Sequence, residues 1–128
     1  MKARVLIADD ASFMRQMIRE IIEPEGYEVV GEATDGIEAV ERFDELQPDL
    51  VTMDIVMPKR SGIDAVKAVI ENHPHACIVM CSALGQETLV MEALQAGAKD
   101  FIVKPFKPDN VVATLDKVLE KTDEHGGD

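Results

Sequence analysis

The chain has 128 residues, 46% of them hydrophobic, and a formal charge of −12. That length suffices for one domain with one core and not for two. The acidity argues against nucleic acid, which calls for a basic footprint, and against docking on anionic lipid.

The chain opens MKARVLIADDAS, where the apolar run at 5–8 meets the adjacent carboxylates Asp9 and Asp10. The run reads as the central strand of a sheet, buried on both faces. Phe13, Met14, Met17, Ile18, Ile21 and Ile22 then recur with helical spacing and make one wide apolar face, closed by Pro24 and Gly26. A second apolar run at 29–33 leads into a helix marked by Ile37, Val40 and Phe43 and stopped by Pro48. The third run, DLVTMD, ends in Asp54, and Ile63, Val66, Val69 and Ile70 mark the helix after it, ended by Asn72 and Pro74. The fourth run, at 77–81, leads to Ser82, followed by a helix with Leu89, Val90, Ala93 and Leu94 and then Gly97. The fifth run, at 101–103, ends in Lys104, and a last helix carries Val111, Val112, Leu115, Val118 and Leu119, with Asp109 placed to help cap it.

Strict alternation of strand and helix, with strands that are apolar almost throughout, means a parallel sheet covered by helices on both faces. The expected fold class is α/β, a doubly wound five-stranded parallel sheet with five helices over residues 1–121. Residues 122–128 (TDEHGGD) form a polar, disordered tail in this reading. Cys77 and Cys81 share one strand, too far apart to bridge, and read as small buried apolar residues. His73, His75 and His125 fall near turns or in the tail and read as surface groups. No apolar stretch approaches the roughly 20 residues that span a bilayer, and no basic segment followed by an apolar one opens the chain. A cytoplasmic protein is therefore expected.

In an open parallel sheet the functional crevice lies at the carboxyl ends of the strands. There the chain places Asp9 and Asp10, then Asp54, then Ser82, then Lys104, whereas the second strand offers only Thr34. Taken singly, each has an ordinary reading: a helix cap, a turn former, a loop hydroxyl, a solvated lysine. Helix caps, however, need no lysine at the end of another strand. Three carboxylates near one point raise one another's pKa values, and a divalent cation removes that cost. Oxygen ligands select a hard ion, and a few carboxylates with open positions suit Mg²⁺. A metal beside a carboxylate and a lysine is suited to phosphoryl transfer, with a carboxylate as nucleophile giving an acyl phosphate.

VLIADD, MDIVMP followed by Gly62, CSA and AGAKDFIVKPF resemble the receiver domain of two-component response regulators, and within it the CheY-type chemotaxis proteins. The likeness extends to about residue 120. It implies the sheet order 2-1-3-4-5, for which CheY is itself a standard example. It implies that Asp54 accepts a phosphoryl group from a histidine kinase. Asp10 and Asp54 would ligate Mg²⁺ directly, Asp9 mostly through water, and the Val56 backbone carbonyl would be a further ligand. Lys104 would pair with the phosphate, the Lys104–Pro105 bond would be cis, Ser82 would move toward the phosphate, and Phe101 would be the rotameric aromatic that reports this. Such a protein catalyses only its own phosphorylation and dephosphorylation.

Three positions depart from the pattern. Phe101 stands where relatives often carry Tyr, and it has no hydroxyl to hydrogen-bond a partner. Val56 and Leu84 occupy positions that influence dephosphorylation, and being apolar neither can orient a water. Slow self-hydrolysis is the expectation.

With no output domain after the receiver-like part, the output would be a change in which partner binds. Val90, Leu94 and Phe101 are the candidate contacts on the face that the family uses, and a flagellar motor switch protein is the expected partner of a monomer. A phosphorelay intermediate and a receiver excised from a longer regulator are the alternatives. An aspartyl-nucleophile phosphatase would need a second Asp two residues after the first, where Val56 stands. A flavodoxin would need a phosphate-welcoming first loop, which Asp9 and Asp10 oppose.

Overall fold

The computed structural model describes residues 2–126, with side chains through Lys121. Five strands alternate with five helices: β1 (Arg4–Ala8), α1 (Ser12–Ile22), β2 (Glu28–Ala33), α2 (Gly36–Leu46), β3 (Leu50–Asp54), α3 (Gly62–Asn72), β4 (Ile78–Ser82), α4 (Glu87–Ala96), β5 (Asp100–Val103) and α5 (Pro108–Gly126). All pairings are parallel, in the order β2-β1-β3-β4-β5. The 2-1-3-4-5 order therefore holds. The middle strand is β3, however, and β1 stands second, between β2 and β3.

The period of two in the strands divides the core. Leu6, Val51, Met53, Ile78 and Met80 point to one face, where they meet Ala39, Phe43, Val66, Val69 and Ala93 of α2, α3 and α4. Val5, Ile7, Leu50, Val79 and Ile102 point to the other, where Ile18, Ile22, Val111 and Leu115 of α1 and α5 cover them. Cys77 and Cys81 are buried in this second layer and form no disulfide, as their spacing implied. Each fully buried aliphatic side chain contributes about 1.5–3 kcal/mol. β1 and β3 have partners on both edges and helices on both faces, which is why their sequences are nearly continuous apolar runs.

The helix ends follow local chemistry. Ser61 caps α3 by accepting a hydrogen bond from the Asp64 N–H, and Asp35 caps α2 through the Glu38 N–H. Gly97 ends α4 at φ 126°, a conformation that suits glycine. Asp109 is not a cap: α5 starts one residue earlier, at Pro108, and the Lys107 carbonyl accepts the Val111 N–H.

The broad apolar face expected on α1 is narrower in the fold. Ile18 and Ile22 are buried, whereas Phe13 and Met17 are exposed, because β2 and α5 cover only one stripe of the helix. His73 is also more engaged than a surface loop residue. Its Nε2 lies 2.8 Å from Asp44 Oδ1 and its ring packs on Phe43, which ties the end of α3 to α2. The expectation of disorder over residues 122–128 lies outside the described residues, apart from the backbone of 122–126, which continues α5. Among the described residues no helix is long and apolar enough to cross a membrane.

Candidate functional site

Parallel strands deliver their last residues to one rim, and the polar residues expected there meet. Asp9 follows β1 and is 1% exposed, Asp10 is exposed, and Asp54 closes β3 at 8% exposed. One oxygen from each of these carboxylates can be chosen so that all lie within 4.8 Å of one another. Lys104, just past β5, reaches both buried carboxylates, with its Nζ 3.2 Å from Asp9 Oδ2 and 3.3 Å from Asp54 Oδ1. Ser82 closes β4 and is buried, and its backbone carbonyl accepts the Lys104 N–H at 2.7 Å. That bond locks the end of β5 to the end of β4. The Lys104–Pro105 peptide is cis, as the resemblance implied.

The helix-cap reading of the two aspartates fails on geometry. Ala11 stands at the N-cap of α1 with no side-chain cap hydrogen bond. Asp9 Oδ1 instead accepts the Ala11 N–H at 2.9 Å, a local turn that leaves Oδ2 for Lys104. Asp10 is left facing the rim.

Charge is unbalanced here: three carboxylates meet one ammonium. Burial raises the Asp54 pKa, the negative charge of Asp9 raises it further, and the pull of Lys104 does not cancel the two. Burial works against the charged form of Lys104, but Asp54 and Asp9 together hold its pKa above the ordinary lysine value. The ammonium is thus permanent at neutral pH, and negative charge is left in excess. An all-oxygen donor set with surplus negative charge fits a hard divalent cation such as Mg²⁺.

Val56 is exposed beside the site, in the segment between β3 and α3. Two glycines fix that segment. A Cβ on Gly62 would run into the Asp54 carbonyl, and one on Gly36 would run into the Arg60 carbonyl. The Gly62 N–H donates to the Ile55 carbonyl at 2.8 Å. Gly62 was visible as part of the motif, whereas Gly36 and Asp35 were missed. The signal was present as Asp35-Gly-Ile-Glu38, a capping pattern in which Glu38 Oε1 also accepts the Thr34 N–H. Asp35 also holds Lys59, with 3.6 Å between Nζ and Oδ2.

The candidate partner contacts divide. Phe101 lies on β5 at 39% exposure and stays available. Val90 is corrected: it is 6% exposed and packs in the core between sheet and helices. Leu94 is half-buried against the same core, so the exposed apolar groups near this face are Met91 and Leu84. Periodicity alone could not say which residues of so apolar a helix face inward.

A doubly wound sheet whose rim gathers three aspartates, a serine and a lysine defines a receiver. The family model for the response regulator receiver domain matches residues 5–116, and the chain belongs to that family. More particularly, it is a CheY-like receiver domain, a two-component response regulator and hence a signalling protein. It is 60% identical to the chemotaxis protein CheY of Thermotoga maritima, over 92% of this chain and 98% of that protein. It is 54% identical to CheY of Bacillus subtilis, over 93% of this chain and 99% of that protein. Among solved structures, the CheX-CheY-BeF3-Mg+2 complex from Borrelia burgdorferi matches with a TM-score of 0.86 and 39% identity, covering 90% of this chain and 87% of that one.

Proposed function

We propose that Asp54 accepts a phosphoryl group from the phosphohistidine of a histidine kinase, and that the product has altered affinity for a protein partner. The observation that carries this is the meeting of Asp9, Asp10, Asp54 and Lys104 at one rim. An Asp54 carboxylate oxygen attacks phosphorus, the P–N bond breaks, and the imidazole leaves with its electron pair and takes up a proton. Asp9, Asp10 and Asp54, with the Val56 backbone carbonyl, are the groups that would hold Mg²⁺. When bound, the ion supplies positive charge for the phosphoryl oxygens. Lys104 already lies 3.3 Å from Asp54 Oδ1 and supplies a second positive charge. Ser82 ends the neighbouring strand β4, and its hydroxyl would donate a hydrogen bond to a phosphoryl oxygen.

Val56 and Leu84 are both exposed beside the site and carry no group to orient an attacking water, so the acyl phosphate hydrolyses slowly. Phe101, Met91 and Leu84 form the apolar part of the output face, and Phe101 is the aromatic whose rotamer responds to Ser82. The flagellar motor switch is the partner favoured by the likeness to chemotaxis proteins, with action in the cytoplasm as a monomer. The Borrelia relative, solved with CheX, BeF3 and Mg+2, supports a phosphorylation-dependent protein partner.

Incubation with a small acyl phosphate and Mg²⁺, followed by intact mass, tests the chemistry. The wild type gains one phosphoryl group and Asp54→Asn gains none. A wild type without gain overturns the proposal. Pull-down of a motor-switch segment by the phosphorylated form supports the motor output, whereas transfer to a histidine phosphotransfer domain without such capture supports a relay.

A further inference from the structure

Both backbone polar groups of Asp9 are bound. Its N–H donates to the Ala33 carbonyl of β2 at 3.0 Å, and its carbonyl accepts from Arg15 Nη1 at 2.7 Å. Arg15 reaches back from the first turns of α1, and its Nε donates to Glu32 Oε1 at 2.7 Å. Glu32 belongs to β2 and pairs in register with Ile7, two residues before Asp9. Its other oxygen accepts from Arg19 Nη2 at 2.8 Å. The Arg15 side chain is only 15% exposed, so this is a fixed bridge rather than a loose surface pair. Glu32 is held below the usual carboxylate range, chiefly by its hydrogen bond from Arg19, against an opposing effect of burial. It is charged whenever Arg15 needs it.

The carbonyl that Arg15 grips belongs to the peptide joining Asp9 to Asp10. Turning that peptide swings the Cα of Asp10 and with it the exposed carboxylate at the rim. We infer that Arg15 is a positioning residue for the cation site: braced by Glu32, it fixes the Asp9–Asp10 peptide so that both carboxylates face Asp54. This rests on the proposed Mg²⁺ site. A planar fork with several donors can hold a carbonyl and a carboxylate at once, which an ammonium on a flexible stem does poorly. Partners that orient metal ligands act strongly on affinity although they never touch the ion.

Positioning and plain electrostatics predict opposite signs. Arg15 is a cation near a cation site, so by charge alone Arg15→Met would tighten Mg²⁺ binding. As a positioning residue, its loss weakens binding by about tenfold, at the low end for groups that orient ligands. The chain has no tryptophan, so titration calorimetry with Mg²⁺ on the full chain is the readout, with urea unfolding measured alongside. Arg15→Met is expected to bind about tenfold more weakly while still folded, and Arg15→Lys, which keeps the charge, is expected to stay weak. Glu32→Gln, which leaves Arg15 unbraced, falls by a smaller factor although it leaves a metal-binding protein's ligands intact. Arg15→Met binding as tightly as wild type, or tighter, overturns the inference while the Mg²⁺ site stands. Arg15→Lys binding Mg²⁺ as tightly as wild type overturns it as well, because an ammonium cannot hold the Asp9 carbonyl and Glu32 together as the fork does. A wild type that takes up no Mg²⁺ overturns the underlying site instead.

Discussion

Thr52 is 0% exposed on the middle strand, and its Oγ1 is a buried side-chain oxygen without a hydrogen-bond partner among the described residues. It lies between Ile7 and Val79 in register, two residues before Asp54 and so on the same face of the sheet. Replacing it with Val keeps the branched shape and exchanges a hydroxyl for a methyl. Burying an unpartnered hydroxyl costs about 1–3 kcal/mol, and a buried methyl adds up to about 0.8 kcal/mol in the favourable direction. Allowing for some strain from the larger group, Thr52→Val is expected to gain about 1–2 kcal/mol. With a urea slope of about 2 kcal/mol/M, the unfolding midpoint rises by about 0.5–1 M with the slope unchanged. Urea denaturation followed by far-UV circular dichroism measures it. A midpoint that is unchanged or lower refutes the reasoning, because it means the hydroxyl is satisfied in the folded protein.

Lys104→Met leaves Asp9 and Asp54 without their shared cation, and metal-free stability should fall by about 3 kcal/mol by urea unfolding, the low end for a buried pair, with saturating Mg²⁺ restoring part of it. The folded pKa of Asp54 is raised above its unfolded value, so this group favours the folded state below the unfolded value and weakens it as pH rises through the folded one. Asp54→Asn should therefore stabilise the metal-free protein at pH 7, and the gain should shrink toward pH 4 in parallel unfolding curves. Gly62→Ala would drive a Cβ into the Asp54 carbonyl, a backbone atom that cannot swing aside. It should lose about 2–3 kcal/mol and weaken Mg²⁺ binding in calorimetry, because the phosphoacceptor strand end must shift.

Much of this protein was legible in one dimension. Alternating apolar runs and helical stripes determine the α/β class, because burial on both faces leaves a parallel strand little choice but continuous apolar residues. The position of Asp9, Asp10, Asp54, Ser82 and Lys104 at strand ends follows from that pattern, since parallel strands bring those ends to one side. Glycine and proline marked the helix stops because their backbone limits are local. Tertiary structure decided which apolar residue of a rich helix faces the core: Val90 goes inward and Met91 outward, and Phe13 and Met17 stay exposed. It alone decided that Asp9 is bound by Lys104 and Asp10 is left at the rim. The Arg15–Glu32 bridge likewise joins residues 17 apart in sequence, through the pairing of β1 with β2. Periodicity describes one element against an unspecified surface. Which neighbour covers that surface, and which charge meets which, depends on contacts between distant segments that no local pattern records.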